Sequence, residues 1–299
     1  MTTLAHVSDL HATPVQIRRI REFLGKRALG WLSWRLRRRH HHRPEVLEAL
    51  AADLRAAAPD HAVVTGDVTN VACEHEFEQA LAWLARLGGP ERLSVIPGNH
   101  DAYVAVPRER SLDLWREYLA SDGESRVEFP AVRIRGGFAI VGVSSAHPTA
   151  PFLAQGSVGA AQLERLERRL VELSDTSLCR VVLIHHPVTE GAVSPRRALT
   201  DADRLRGVLA RAGADLVLHG HGHRTLFGSI PGPEGPIPVV GARSGSDASP
   251  RPDKTAQYHL YDIEPRARSG AGPRFRIRAR IRAYDEATRS FAAAGEREL

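Results

Sequence analysis

The chain has 299 residues, of which 42% are hydrophobic and 25% are charged, and this composition predicts a folded globular protein. Its formal net charge is +6, and only Lys26 and Lys254 among its 41 basic residues are lysines. The two cysteines, Cys73 and Cys179, are too few for a disulfide framework, and no uncharged apolar run approaches the ~18 residues of a membrane span. No signal peptide is evident, so we expect a cytoplasmic protein that is at most peripheral at the inner face of the membrane.

Five short apolar runs each lead directly into a cluster of polar residues. They are typical of buried strands: Leu4–Val7, His61–Thr65, Leu93–Pro97, Arg180–Ile184 and Asp215–Leu218. Apolar residues at helical spacing predict helices between them: Glu45–Ala58, Glu74–Leu87, Gly159–Leu173 and Thr200–Ala212. This alternation predicts an α/β architecture, in which the polar clusters meet beyond the carboxyl ends of the strands.

The last third of the chain carries strand patterns without intervening helices. The three runs Ile237–Gly241, Gln257–Ile263 and Arg274–Tyr284 indicate a second, more antiparallel sheet. We therefore assign second-sheet strands to residues 237–284, within a single domain that spans residues 1–299. In the last run, arginines alternate with apolar residues, which predicts a half-buried strand whose arginines form a solvated edge rather than a binding stripe.

Residues 17–43 form a basic amphipathic insertion. The segment mixes ten Lys or Arg with apolar and aromatic residues, among them Ile20, Phe23, Leu24, Leu29, Trp31, Leu32, Trp34 and Leu36. We hypothesise that it caps the mouth of the active site and lies against an anionic membrane surface. The alternatives are packing on the domain with solvated arginines, and contact with a protein partner. We interpret His40, His41 and His42 as part of its cationic surface.

The polar residues at the strand ends form a mixed set of carboxylate, imidazole and amide groups. They are Asp9, His11, Asp67, Asn99, His100, Asp101, His185, His221 and His223. Such a set suits divalent Mn, Fe, Co, Ni or Zn, and it is too large for one ion that keeps an open position. A pair of metals bridged by a carboxylate such as Asp67 would generate hydroxide and stabilise the charge of a phosphate ester. His100 is the candidate for protonating the leaving group, and Asp101 follows it directly as the second catalytic candidate.

The same residues resemble the signature of calcineurin-like metallophosphoesterases. All five blocks occur in order over residues 9–223: Asp9-x-His11, Gly66-Asp67, Gly98-Asn99-His100-Asp101, His185 and Gly220-His221-x-His223. The resemblance implies a four-layer α/β/β/α sandwich of two mixed β-sheets flanked by helices. It also implies two divalent metal ions, Mn or Fe before Zn, Co or Ni. One ion would be held by Asp9, His11, Asp67 and His223, and the other by Asp67, Asn99, His185 and His221.

Within this superfamily the Gly-Asn-His-Asp block and the His185-His186-Pro187 run most resemble bacterial class III cyclic-nucleotide phosphodiesterases. We therefore predict a phosphodiesterase of the cyclic nucleotide or glycerophosphodiester type that uses a metal-bridging hydroxide. The alternatives are a hydrolase of lipid-linked phosphate or pyrophosphate at the membrane surface, and a phosphomonoesterase. A nuclease is less favoured, because no nucleic-acid-binding module is recognisable and the positive charge is concentrated in one insertion. An inactive scaffold would have no chemical need for the intact ligand set.

Overall fold

Twelve strands form two six-stranded sheets in the computed structural model, which describes residues 1–17, 25–249, 251, 253–266 and 272–299. The strands are β1 (Thr2–Val7), β2 (His61–Val64), β3 (Leu93–Val95), β4 (Ala131–Arg135), β5 (Phe138–Gly142), β6 (Cys179–Leu183), β7 (Leu216–His219), β8 (Leu226–Ile230), β9 (Ile237–Gly241), β10 (Gln257–Pro265), β11 (Phe275–Asp285) and β12 (Ser290–Glu298). All five strands predicted to lead into the polar clusters are present, whereas β4, β5, β8 and β12 were not predicted.

Helices cover the outer faces of the sheets and form the insertion. They are α1 (Lys26–Ser33), α2 (Arg39–His41), α3 (Pro44–Ala57), α4 (Glu74–Leu87), α5 (Arg116–Leu119), α6 (Ala160–Glu172) and α7 (Ala202–Ala212). A π-helical segment, Trp34–Arg38, joins α1 to α2, and short 3₁₀ turns occupy Arg108–Arg110, Leu112–Trp115 and Pro195–Arg197. The four helices predicted from apolar periodicity are confirmed as α3, α4, α6 and α7.

Both sheets mix parallel and antiparallel strands. The first sheet has the order β12-β11-β10-β1-β2-β3, and the second has the order β4-β5-β6-β7-β9-β8. In the first sheet β1, β2 and β3 run parallel, and β10 to β12 continue the sheet in antiparallel fashion. In the second sheet β5, β6, β7 and β9 run parallel, with β4 and β8 as antiparallel edges.

Three apolar cores separate four layers. One core packs α3 and α4 against the first sheet and includes Leu50 and Phe77. Another packs α6 and α7 against the second sheet and includes Leu166 and Leu209. The third core joins the two sheets face to face. The central strands are therefore covered on both faces, which is why they read as continuous apolar runs in the sequence. The predicted four-layer α/β/β/α sandwich is confirmed.

The assignment of residues 237–284 to one second sheet is wrong. β9 pairs with β7 and β8 in the second sheet, whereas β10 pairs with β1 and extends the first. Nor is β11 an edge strand, because β12 lies beyond it. Its arginines form ion pairs: Arg276 with Glu298, Arg278 and Arg280 with Asp262, and Arg282 with Asp53. The alternation of the strand was predicted correctly, but its neighbours depend on long-range pairing that a local pattern does not encode.

The insertion packs on the domain through part of its apolar face. Trp31 and Trp34 contact a small cluster formed by Val15, Val71 and Cys73. By contrast, Leu29, Leu32 and Leu36 are 43%, 47% and 66% exposed. These three leucines belong to the predicted amphipathic stretch. Its other apolar residues Ile20, Phe23 and Leu24 lie outside the described residues. Within the described ranges, no helix has the length and apolar character needed to cross a bilayer.

Candidate dinuclear metal site

Two groups of potential metal ligands lie at the carboxyl ends of the strands. Asp9, His11 and His223 form one group, and Asp67, His185 and His221 form the other, with the ligand atoms of each group within 4.8 Å of one another. Nε2 of His223 lies 3.1 Å from Oδ1 of Asp9, and Nε2 of His185 lies 3.3 Å from Oδ2 of Asp67. The tertiary structure thus brings together six of the seven predicted ligands in two groups.

Asn99, the seventh predicted ligand, joins the second group. Its Oδ1 lies 3.1 Å from Nε2 of His185. The side-chain oxygen of Asn99 therefore faces the atoms that His185 and Asp67 would offer to a metal ion. The two groups correspond to the predicted sets except at Asp67, which was predicted in both sets and lies in the second group.

Five of these residues have backbone conformations that non-glycine residues rarely adopt. The φ angles are positive at Asp9 (50°), His11 (43°), Asp67 (56°), His221 (66°) and His223 (49°). A side chain in this left-handed region costs of order 1–3 kcal/mol, and such residues cluster at functional sites. The loops after β1, β2 and β7 therefore bend sharply to aim their side chains at a common point.

The proposed histidine ligands are oriented by backbone carbonyls. Nδ1 of His11 donates to the Thr69 carbonyl at 3.2 Å, and Nδ1 of His185 donates to the Thr65 carbonyl at 2.7 Å. Nε2 of His221 donates to the Arg197 carbonyl at 2.9 Å. One nitrogen of each ring remains for a metal, as is usual when the other donates to a carbonyl.

Asp9 has an oxygen that a cation would satisfy. Its Oδ2 accepts hydrogen bonds from Ser8 Oγ at 2.6 Å and from the His221 amide at 3.0 Å. Its Oδ1 is buried, and its described polar contact is Nε2 of His223 at 3.1 Å, which does not have the geometry of a regular hydrogen bond. An unsatisfied buried carboxylate oxygen is costly, and oxygen and imidazole donors around it suit a first-row divalent ion. The residues present therefore fit a pair of metal ions.

The charges of the two carboxylates also fit metal binding. Burial raises the pKa of Asp9 and of Asp67, but the neighbouring histidines outweigh it and hold both pKa values below the usual range. Burial likewise opposes protonation of His185, but the charge and hydrogen bond of Asp67 raise its pKa to about 9. Without metals, protonated His185 supplies the positive charge that Asp67 needs, and a metal ion would take the place of that proton.

Two glycines allow the loops to come this close. A Cβ at Gly98 would lie 2.2 Å from Oδ1 of Asp67, and a Cβ at Gly220 would lie 1.9 Å from Oγ of Ser8. Neither distance is compatible with a larger residue unless a side chain beside the ligands moves. Close packing beside the ligands therefore explains why glycine occupies these positions in the Gly-Asn-His-Asp and Gly-His-x-His blocks.

Asp101 supports the loop that carries Asp67. Its carboxylate accepts hydrogen bonds from the amides of Asp67, Thr69 and Gly98 at 2.8–2.9 Å. Burial and the charge of Asp67 raise its pKa to about 7. These contacts are those of a positioning residue, and Asp101 is not among the described residues that line the cavity beside the ligands. The sequence selected Asp101 as a catalytic candidate because it follows His100, but adjacent residues direct their side chains differently.

Arg38 is a site residue that the sequence did not single out. Its Nη1 donates to Nε2 of His100 at 2.8 Å, while Nδ1 of His100 donates to the carbonyl of Asn70. The ring of His100 is stacked on Tyr103, with 5.5 Å between centroids. Burial and the charge of Arg38 lower the pKa of His100 to about 3, so its ring is neutral near pH 7. In a run of basic residues, nothing local indicates which arginine turns inward.

The interpretation of His42 as part of a cationic surface is wrong. Its ring centroid lies 4.5 Å from that of His11 and 6.0 Å from that of His223. Its Nδ1 is 2.7 Å from Oγ of Ser246. Burial, together with the charges of nearby histidines and Arg38, lowers its pKa well below the usual value, so the ring is neutral. The insertion ends beside the first group of ligands, which places His42 there.

A cavity of about 530 Å³ opens beside both groups of ligands. It is lined by Asp67, Asn99, His100, His221 and His223 on the side of the proposed metals. Leu29, Gly30 and Arg38 of the insertion line it as well. The insertion therefore forms part of the wall of the candidate active site, as hypothesised from its position in the sequence.

The sequence model for calcineurin-like phosphoesterases matches residues 2–225, about three-quarters of the chain. The chain belongs to this family. The family is dinuclear and metal-dependent, so the chain is a metal-dependent phosphoric ester hydrolase with candidate ligands for both ions. It is also 26% identical, over 220 residues, to a probable cyclic nucleotide phosphodiesterase of Synechococcus sp., a match that covers 73% of this chain and 77% of that protein.

Two solved structures with low sequence identity share the fold. A dimetal phosphatase from Danio rerio superimposes with a TM-score of 0.59 at 11% identity, and the match covers 98% of each chain. A sulfate thiohydrolase from Thermus thermophilus superimposes with a TM-score of 0.51 at 16% identity, covering 93% of this chain and 56% of that one. At these identities the likeness concerns the fold alone.

Proposed function

We propose that this phosphoesterase is a phosphodiesterase of the cyclic nucleotide or glycerophosphodiester type. The observation that carries the proposal is the opening of both ligand groups, with Asn99 and His100, into one cavity. The similarity to the Synechococcus relative, a probable cyclic nucleotide phosphodiesterase, supports the choice of a diester.

The proposed ligands of one ion are Asp9, His11, Asp67 and His223, and those of the other are Asp67, Asn99, His185 and His221. When bound, the two ions would neutralise the charge of the phosphate and activate water as the nucleophile. Manganese or iron is the proposed pair, because the donors are oxygen and nitrogen with no thiolate among them. Asp67, a member of the second group, is the proposed bridge to the first.

His100 and Arg38 are proposed to handle the substrate itself. To protonate a leaving alkoxide, His100 must take up a second proton from solvent on Nε2, the atom that now accepts a hydrogen bond from Arg38, while Nδ1 keeps the proton that it donates to Asn70. The positive charge of Arg38 opposes that protonation. We therefore expect the guanidinium to transfer its hydrogen bond to a phosphate oxygen when substrate enters, since arginine binds phosphate well and would then release Nε2.

The proposal is tested by comparing two model substrates on the same protein. Hydrolysis of bis-p-nitrophenyl phosphate, a diester, is measured against that of p-nitrophenyl phosphate, a monoester, with Mn²⁺ and after chelation. We expect cleavage that depends on Mn²⁺ and favours the diester. Cleavage of the monoester alone would instead identify a phosphomonoesterase. No cleavage of either, by protein shown to contain two metals, would contradict the proposal for small diesters.

A lipid-linked substrate is the second candidate, and one observation favours it. Leu29, Leu32 and Leu36 are exposed on the insertion that borders the cavity, among arginines that suit an anionic surface. Liposome sedimentation tests the membrane contact, because a protein that binds an anionic membrane sediments with anionic vesicles. Equal recovery in the supernatant with anionic and neutral vesicles would rule out the membrane contact.

A further inference from the structure

Both lysines of the chain line the same cavity. Lys26 belongs to α1 and Lys254 to the segment that precedes β10, yet each contributes to the cavity beside the proposed metal ligands. All other basic side chains in the sequence are arginines. A lysine ammonium is a compact point charge on a flexible stem, and it commonly binds phosphate. The position of both lysines therefore bears on which anion this cavity binds.

The lysines are held by neutral oxygen atoms rather than by carboxylates. Nζ of Lys26 donates to Oγ1 of Thr149 at 2.7 Å and to the Leu153 carbonyl at 3.3 Å. It also lies 4.4 Å from the ring centroid of Tyr103. Nζ of Lys254 donates to the carbonyl of His223 at 3.3 Å. Among the residues that the structure describes, neither lysine forms an ion pair with a carboxylate.

Two arginines add to the positive charge of the same wall. Arg38 and Arg197 line the cavity, and their described contacts are likewise with neutral groups, His100 and the His221 carbonyl. Burial and then the charge of Arg224 lower the pKa of Lys254; Asp253 opposes this, and the charge of Arg197 adds to the lowering. Burial also lowers the pKa of Lys26. Lys26, Arg38 and Lys254 are partly removed from water, and the charges of Asp67 and Asp253 only partly compensate Arg38 and Lys254, whose pKa values stay lowered. These cations raise the free energy of the empty cavity, and a bound anion would offset this.

One phosphate group does not require so much positive charge. Two divalent ions would bring four positive charges, of which Asp9 and Asp67 neutralise two. The remaining two positive charges are balanced by one hydroxide and one phosphodiester, each of which carries a single negative charge. Asp67 is also the only carboxylate that lines the described cavity. With Arg38 assigned to the scissile phosphate, the other three basic side chains, Lys26, Lys254 and Arg197, exceed what that phosphate alone would need.

We propose that Lys26 and Lys254, with Arg197, form a subsite for a second phosphate group of the substrate. The substrate class is thus a phosphate ester or anhydride with two phosphate groups, one at the metals and one at the lysines. The inference rests on the proposed function for the position of the scissile phosphate. The apolar side chains of Leu29 and Phe152, which also line the cavity, would lie against the organic part of the molecule.

The subsite is tested with inorganic phosphate as the probe, in equilibrium dialysis at low ionic strength. Metal-free protein cannot hold phosphate through metals, so its binding reports the lysines. We expect the Lys26→Gln/Lys254→Gln double variant to raise the Kd for phosphate at least tenfold. Arg196→Gln is the matched control, because Arg196 is exposed on the same 3₁₀ turn as Arg197 but does not line the cavity. It should bind phosphate as the wild type does.

A second measurement uses the manganese-loaded protein. We expect two phosphate ions per chain in the wild type and in Arg196→Gln, but one in the double lysine variant. A single phosphate in the wild type, or a second one that persists in the double variant, would overturn the subsite. Hydrolysis of bis-p-nitrophenyl phosphate is followed in parallel. Two bound phosphates without hydrolysis would leave the subsite standing while the proposed phosphodiesterase fails, and hydrolysis with only one bound phosphate would show the reverse.

Discussion

Nη1 of Arg38 lies 2.8 Å from Nε2 of His100, so a residue of the basic insertion contacts the proposed proton donor of the active site. The contact crosses from the π-helical segment Trp34–Arg38 to the loop after β3. The contact therefore links the basic insertion to Nε2 of His100, the atom from which a leaving group would take its proton.

Arg38→Gln should lower kcat/KM for bis-p-nitrophenyl phosphate by about a hundredfold, the usual effect of removing one charged donor from a transition state. Arg38→Lys should restore part of the activity, because it keeps the charge but loses the planar fork. Arg37→Gln, an exposed neighbour on the same segment, is the control. Equal activity of the Arg38→Gln and Arg37→Gln variants would remove Arg38 from the reaction.

His100→Ala should lower turnover by about 10²–10⁴-fold, the range expected for loss of a general acid. Its metal content should stay close to that of the wild type, because its ring nitrogens contact Asn70 and Arg38 rather than a predicted ligand group. Both quantities are measured on the same preparation, with metals determined by elemental analysis. Loss of metal in this variant would show that His100 is a ligand, and our role assignment would be wrong.

Asp67→Ala should empty both metal sites, because a bridging carboxylate serves both ions. His11→Ala is the matched comparison, since His11 belongs to the first group of ligands alone. We expect it to reduce the metal content by one ion per chain. Metal titration followed by calorimetry distinguishes the two variants. A single ion retained by Asp67→Ala at wild-type affinity would argue against the bridge.

Gly220→Ala should disturb metal binding, whereas Gly222→Ala should not. The new Cβ at position 220 would lie 1.9 Å from Oγ of Ser8 and 2.5 Å from Oδ2 of Asp9, so the proposed ligand must move. At position 222 the nearest atom is 3.9 Å away, which is an ordinary contact. Metal content and thermal unfolding of the two variants provide the comparison. Similar metal loss in both would show that backbone freedom, rather than the close approach to Asp9, explains Gly220.

The ion pairs of Asp262 with Arg278 and Arg280 should stabilise the folded protein near neutral pH, and this stabilisation should be lost in acid. Burial raises its pKa, but hydrogen bonds and charges from Arg280 and Arg278 outweigh this and lower the pKa below the usual value. A carboxyl whose pKa is lower in the folded state stabilises that state above its unfolded pKa, and the effect disappears as pH falls through the folded pKa. Asp262→Asn should therefore cost about 1 kcal/mol near pH 7.

The cost of Asp262→Asn should shrink from pH 5 towards pH 2. Urea unfolding of chelator-treated wild type and variant measures it, because the titration of the metal ligands is common to both proteins and cancels in the difference. A difference in unfolding free energy that does not change with pH would mean that the amide disrupts packing rather than an ion pair.

The sequence by itself determined the ligand set and the fold class. Each ligand block follows an apolar strand. Asp9 and Asp67 are expected to meet because the parallel strands β1 and β2 place their carboxyl ends at one edge of the first sheet, whereas the family resemblance implied that His185 of the second sheet joins them. Apolar periodicity was sufficient for α3, α4, α6 and α7, since each buries one face against a sheet. These features depend on local residue patterns that can be recognised in the sequence without knowledge of the fold.

Only the tertiary structure decided which distant segments meet. The pairing of β10 with β1, rather than with β9, depends on contacts across more than two hundred residues. The inward turn of Arg38, the place of His42 beside His11 and the convergence of Lys26 with Lys254 on one cavity depend on how the insertion packs. The insertion carries ten Lys or Arg, and the sequence does not distinguish those that turn inward from those that remain in solvent, so the packing of Trp31 and Trp34 selects the charges that face the cavity.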